Sequence, residues 1–157
     1  MCGLAGLALR SGQTPSASIL DALTRALAHR GPDGHGHHLA GNVALSHTRL
    51  SIIDLVTGDQ PLFAGAAALV ANGEVYNYRE LRERNQLHCA TGSDCEPPLH
   101  LFRRDGLAFA DTLRGMYAIA LHDKMTSRRS TVRGRVGVPK NRGARIHELE
   151  IAIRRQK

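Results

Sequence analysis

The chain has 157 residues, 42% hydrophobic and 22% charged, with 21 Lys/Arg against 14 Asp/Glu. That length suits one domain with a sizeable core and leaves little room for a second. No apolar run approaches the ~20 residues of a membrane span, and Leu4–Leu9 followed by Arg10 is too short and wrongly flanked for a secretory leader.

Three cysteines, an odd number, argue against a disulfide framework and for a reducing, cytoplasmic compartment. The net charge of +7 is unevenly spread. Residues 1–124 hold 11 Lys/Arg against 12 Asp/Glu, whereas 125–157 hold 10 against 2. A basic tail binds phosphate backbones without sequence preference, but this one has no Phe, Tyr or Trp on which bases could stack.

In chain order, Cys2–Leu9 is small and apolar enough for a buried strand, and Arg10–Pro15 reads as a turn. An amphipathic helix runs from a cap at Ser16 or Ser18 to about His29. Its apolar face is Ile19, Leu20, Leu23, Ala26 and Leu27. Arg30–Gly34 is turn chemistry. Strands are predicted at Asn42–Ser46, Leu50–Leu55 and Ala67–Ala71. A short charged helix follows, with Asn77 and Glu80 in a capping-box spacing.

Ser93 or Asp94 starts a further helix carrying Leu99, Leu101 and Phe102, with Pro97 and Pro98 in its first turn, where proline is tolerated. Met116–His122 is the last apolar strand. Beyond residue 125 the periodicity dissolves until a short helix at Ile146–Arg154. The mixture is strands with interspersed helices and no internal repeat.

Cys2 is the chemically most informative residue. Removal of Met1 would put a thiol and a free α-amine on one residue. An α-amine titrates near ~8, so part of it is neutral and can take the thiol proton. Asn72-Gly73 follows a strand; an Asn amide and a glycine N–H can hold an oxyanion, although Asn-Gly alone usually marks a turn. Arg49 is a lone cation entering an apolar stretch, either ion-paired, snorkelling or clamping a carboxylate. Asp94 by itself reads as a helix cap.

Five motifs stand together in order: Met1-Cys-Gly-Leu-Ala-Gly6, His29-Arg-Gly-Pro-Asp-Gly34, Ser46-His-Thr-Arg-Leu-Ser-Ile-Ile-Asp-Leu55, Asn72-Gly-Glu-Val-Tyr-Asn77 and Gly92-Ser-Asp-Cys-Glu96. Over residues 2–124 they resemble the glutamine-hydrolysing domain of class II amidotransferases, in the asparagine synthetase branch. That branch also contains amidotransferases of polysaccharide and exosortase-linked clusters.

The resemblance implies an α+β fold of the N-terminal nucleophile hydrolase kind, an αββα sandwich of two antiparallel sheets between helices, incomplete at the C-terminus. It implies that Cys2 attacks the glutamine side-chain amide while its α-amine moves the proton, and that Asn72 and Gly73 hold the oxyanion. It further implies that Arg49 grips the substrate α-carboxylate and that Asp94, helped by Glu74, takes the α-ammonium. Glutamate would leave by hydrolysis of a thioester. Ammonia would pass to a synthetase domain that activates aspartate with ATP and Mg.

Two departures qualify the expectation. After Gly115–Lys124 the sequence, from Met125, no longer resembles the family, which suggests truncation or a frameshift and a sandwich left with unpaired edges. No Ser-Gly-Gly-x-Asp-Ser pyrophosphate loop occurs, so the ATP-using half is absent and no cofactor is expected in this chain. Pro97-Pro98 and a shortened Asn85–Ala90 put the placement of Asp94 in question. The expectation is therefore a weak or inactive glutaminase with a tendency to aggregate.

Among nine histidines, the His35/His37/His38 group and the His88/Cys89/Cys95/His100 group lack paired Cys-x-x-Cys spacing, so no metal is expected. The rival readings are a basic-tailed nucleic-acid-binding module and a catalytically dead fragment without a partner. Salt-dependent binding to DNA or RNA that is lost on deleting 125–157 would mark the first.

Overall fold

The computed structural model describes residues 2–10, 13–125, 128–134 and 145–148. The strands are β1 (Gly3–Ala8), β2 (Gly34–Ala40), β3 (Val43–Arg49), β4 (Leu62–Ala64), β5 (Ala67–Val75), β6 (Gly115–Asp123), β7 (Arg128–Gly134) and β8 (Arg145–Glu148). The helices are α1 (Ala17–Leu27), α2 (Tyr78–Arg84) and α3 (Glu96–Asp105), with 3-10 segments at Ala28–Arg30 and Gly106–Thr112. Two sheets form, ordered β1-β3-β2 and β4-β5-β6-β7-β8, and every pairing is antiparallel.

The layering follows from the two-residue period of the strands. On β3, Ser46 and Thr48 point to α1, where Ser46 Oγ lies 2.9 Å from Thr24 Oγ1 and Thr48 donates to the Leu27 carbonyl at 3.1 Å. The alternate residues Val43 and Leu45 face the second sheet and pack with Ala8, Val70 and Ala120. Covered on both sides, β3 is buried at all seven positions.

On β5, Leu69, Ala71 and Val75 face outward into a larger core with Tyr117, Ile119 and Leu121 of β6, Leu81 of α2 and Leu99, Leu101 and Phe102 of α3. Each fully buried Leu, Ile, Val or Phe side chain among these contributes about 1.5–3 kcal/mol. The order is helix, sheet, sheet, helix, which is the αββα sandwich. No helix among the described residues is long and apolar enough to cross a membrane.

Several elements differ from the sequence expectation. The His35/His37/His38 segment, where no strand is predicted, is β2. Its pairing with β3 from Gly34↔Arg49 to Ala40↔Val43 overrides the weak strand preference of Gly-His-Gly-His-His. Leu50–Leu55 is no strand; it turns at Asp54, whose φ of 51° is tolerated by a short polar side chain. β4 has no counterpart in the prediction.

The capping box is absent as well. Asn77 makes no cap bond, because its side chain spans to the Thr112 carbonyl and the Arg114 N–H, while Glu80 pairs with Arg114 at 2.6 Å. α3 begins at Glu96, and neither Ser93 nor Asp94 is its N-cap residue.

Past residue 125 the sheet continues. β7 pairs along β6 from Tyr117↔Gly134 to Asp123↔Arg128, and β8 pairs with β7. The edge of β6 is thus covered, contrary to the expectation of unpaired edges there. Residues 146–148 are strand, not helix; the remainder of the predicted helix, 149–154, lies outside the described residues, as do Ser11 and Gly12 of the predicted turn.

Candidate active site

The strand period that builds the core also builds a cavity. Continuing β3 by two and four residues from Leu45 brings His47 and Arg49 to the inner face. Continuing β5 from Val70 brings Asn72 and Glu74 there, and β6 contributes Ala118 and Met116 beside Ala120. These side chains, with Cys2, Gly73, Asp94 and Cys95, line a cavity of ≈ 400 Å³. All six residues singled out from sequence, Cys2, Arg49, Asn72, Gly73, Glu74 and Asp94, are therefore on one cavity wall.

Cys2 precedes β1, which is registered on β3 from Gly3↔Thr48. Its Sγ accepts from the Leu50 N–H at 3.4 Å and lies 3.6 Å from the Leu50 carbonyl. Its carbonyl accepts from Arg30 Nε at 3.2 Å. The segment after Arg30 wraps the end of β3. The Asp33 N–H donates to the Arg49 carbonyl at 2.9 Å, and the Asp33 carboxylate accepts from the Ser51 N–H at 2.7 Å. Gly31 permits this approach, since a Cβ there would meet the Thr48 carbonyl carbon at 2.4 Å.

Arg49 is 7% exposed and its guanidinium is already engaged. Nη1 donates to Asp59 at 2.5 Å, and Nη2 donates to the carbonyls of Ile53 and Asp54. The Asp59 side chain is 81% exposed, so this ion pair faces solvent on one side only.

Gly73 has φ of 134°, and a Cβ on it would sit 2.0 Å from the Met116 carbonyl oxygen, so no other residue fits without backbone movement. The Asp94 carboxylate accepts from the Val75 N–H at 2.7 Å. Burial pushes its pKa above the ordinary carboxylate value; the Val75 bond opposes that shift, and the negative Glu74 adds to it. Asp94 thus lines the cavity and is tied to β5, and it is not the cap of α3. The neighbouring Cys95 thiol is pushed well up by burial and by Asp94.

Sequence reasoning missed three contributors. His47, 1% exposed, donates from Nε2 to the Ala71 carbonyl at 3.1 Å, while its Nδ1 has no partner among the described residues. Burial, with Arg49 nearby, brings its pKa down to about 4, so it is neutral at pH 7. Gln60 accepts from the Ala71 N–H at 2.6 Å, and Asp59 occupies Arg49. His47 stands two residues before Arg49 on the same strand, a spacing that would have revealed it. The His35/His37/His38 group does not converge: His37 bonds Thr24 and His38 bonds His122.

The profile of the Glutamine amidotransferase domain family matches residues 1–140. The chain is 40% identical over 144 residues to asparagine synthetase [glutamine-hydrolyzing] 2 of Bacillus subtilis, covering 88% of this chain and 19% of that protein. It is 39% identical over 143 residues to asparagine synthetase [glutamine-hydrolyzing] 2 of Arabidopsis thaliana, with 88% and 25% covered. It is 41% identical over 143 residues to the Asparagus officinalis asparagine synthetase [glutamine-hydrolyzing], with 88% and 24% covered. The chain thus spans about a fifth to a quarter of the length of these relatives. The matched region begins before Cys2 and crosses the charge break at Lys124, and on that match the chain belongs to the glutamine amidotransferase domain family.

Proposed function

We propose that this chain hydrolyses glutamine to glutamate and ammonia through a thioester on Cys2. The observation that carries the reading is the common cavity, lined by the Cys2 thiol, the Asn72–Gly73 pair, the Arg49 cation and the carboxylates of Glu74 and Asp94. Once Met1 is removed, the Cys2 α-amine takes the thiol proton and Sγ attacks the substrate carboxamide. Asn72 and the Gly73 N–H hold the oxyanion. The leaving ammonia receives the proton, and water cleaves the thioester.

Arg49 reads the α-carboxylate by exchanging its exposed partner Asp59 for the substrate, while the backbone carbonyls keep the guanidinium in place. Asp94 and Glu74 read the α-ammonium. A buried carboxylate whose charge is disfavoured gains most when a cation arrives beside it. This chemistry draws on no cofactor within the chain.

The working residues all lie within 2–124, and the basic segment 125–157 contributes β7 and β8 at the sheet edge. The relatives' names support a synthetase domain, supplied by another part of the protein or another chain, as the acceptor of the ammonia; its use of aspartate and ATP is part of the proposal. The compartment that keeps Cys2, Cys89 and Cys95 as free thiols is the cytoplasm.

The test is intact-mass analysis with 6-diazo-5-oxo-norleucine, a glutamine-like electrophile. Loss of Met1 and one covalent adduct are expected, with no adduct on Cys2→Ala. A chain that retains Met1, or an adduct that persists in Cys2→Ala, overturns the reading.

A further inference from the structure

Sequence spacing offers no zinc pattern around His88, Cys89, Cys95 and His100, but folding assembles a different set. The Cys89 Sγ, a Glu96 carboxylate oxygen and a His100 imidazole nitrogen all lie within 4.8 Å of one another. We propose that Cys89, Glu96 and His100 form a three-donor site for a thiophilic divalent cation of the zinc class, separate from the catalytic cavity.

None of the three lines that cavity. Glu96 and His100 are four residues apart on α3 and so share a face, with His100 Nε2 3.2 Å from Glu96 Oε1. Cys89 comes from the loop that precedes the helix.

The donors are prepared for an ion in two respects. First, Glu96 is held by its surroundings before any ion arrives. It accepts from the Ala90 and Thr91 N–H groups at 2.7 Å each and from Thr91 Oγ1 at 2.5 Å. Outer bonds of this kind fix the orientation of a ligating carboxylate.

Second, the charges balance. The Glu96 side chain is 3% exposed, and a divalent ion neutralises its carboxylate together with one thiolate, leaving His100 as the neutral third donor. The thiol proton goes to solvent as the metal–sulfur bond forms.

One sulfur, one nitrogen and one oxygen suit zinc or cobalt, whereas calcium and magnesium require six or more oxygens. Donor atoms around tetrahedral zinc stand about 3.3–3.8 Å apart. Closing this cluster therefore needs side-chain movement of about an ångström. Cys89 is half-buried, which gives the ion a way in, and water completes the fourth position. The bound ion would pin the Cys89–Thr91 loop to the first turn of α3, directly after Asp94.

The test titrates the full chain, reduced and stripped with chelator, with Co²⁺ alone. The expected result is one equivalent bound, with the visible absorption of tetrahedral cobalt and a thiolate-to-cobalt charge-transfer band. Cys89→Ser should lose that band, and Cys89→Ser and His100→Ala should each weaken binding at least about tenfold while keeping the wild-type circular dichroism. Cys2→Ser, which removes the chelating thiol at the processed terminus, should keep the band. The absence of stoichiometric binding at millimolar cobalt overturns the proposal. So does a band that survives Cys89→Ser and vanishes in Cys2→Ser.

Discussion

His47 Nε2 lies 3.1 Å from the carbonyl oxygen of Ala71, joining the strand that ends in Arg49 to the strand that continues into Asn72 and Gly73. This buried bond fixes the distance between the residues that would hold the substrate carboxylate and those that would hold the oxyanion. Burial keeps this ring neutral at pH 7, with its proton on Nε2, even though the bond to Ala71 by itself favours the charged form.

Acidification should therefore weaken the fold. In the unfolded chain a histidine takes a proton near 6.5, whereas His47 and His38 in the folded chain resist until about 4. Their contribution is complete above about 6.5 and is lost as the pH falls towards 4. For His47 the loss between pH 7 and pH 5 is about 2 kcal/mol. Asp94, shifted upward, acts with the opposite sign, favouring the fold at lower pH. Denaturant unfolding at the two pH values measures the balance, and a His47→Gln variant should show the smaller pH dependence.

Asn72→Ala should lower kcat for glutamine about 10²–10³-fold with little change in KM, the pattern of a donor that acts on the oxyanion alone. Gly73→Ala should instead fail structurally. Its Cβ would collide with the Met116 carbonyl oxygen and the backbone has φ of 134°, so a loss of at least about 2 kcal/mol is expected in thermal or denaturant unfolding.

Asp94→Asn should raise KM for glutamine about 10–100-fold, because a charge-assisted hydrogen bond to the α-ammonium is worth about 1.5–3 kcal/mol. Steady-state glutamate release checks this, and kcat should move far less than KM.

Asp59→Asn carries the contrary prediction. Asp59 occupies Arg49 from the solvent side, so neutralising it frees the guanidinium for an incoming carboxylate. KM should fall about two- to tenfold, with kcat unchanged; a rise in KM would show that Asp59 orients Arg49 instead of competing for it.

The lining of the candidate site was legible in the sequence because its residues sit in short motifs. Cys2-Gly3, Arg49, Asn72-Gly73 and Asp94 could each be named without knowing how the strands pair. The scaffold was less legible wherever tertiary contacts overrule local preference. β2 is built from glycine and histidine and exists through its pairing with β3. Leu50–Leu55 looks apolar enough for a strand, yet Arg49 draws the Ile53 and Asp54 carbonyls into a turn. Asn77 and Glu80 have capping spacing but find better partners at Thr112 and Arg114. The charge break at Lys124 marked a change of composition and not the end of the sheet, because β7 pairs through its backbone.

Asp54 has a consequence of its own. Its carbonyl receives Arg49 Nη2, and its carboxylate receives the Gly92 N–H at 2.8 Å, two residues before Asp94. One aspartate thereby couples the loop beside the cation to the loop bearing the anion. Loosening either loop disturbs the other, so both poles of a bound amino acid would be grasped and let go in concert.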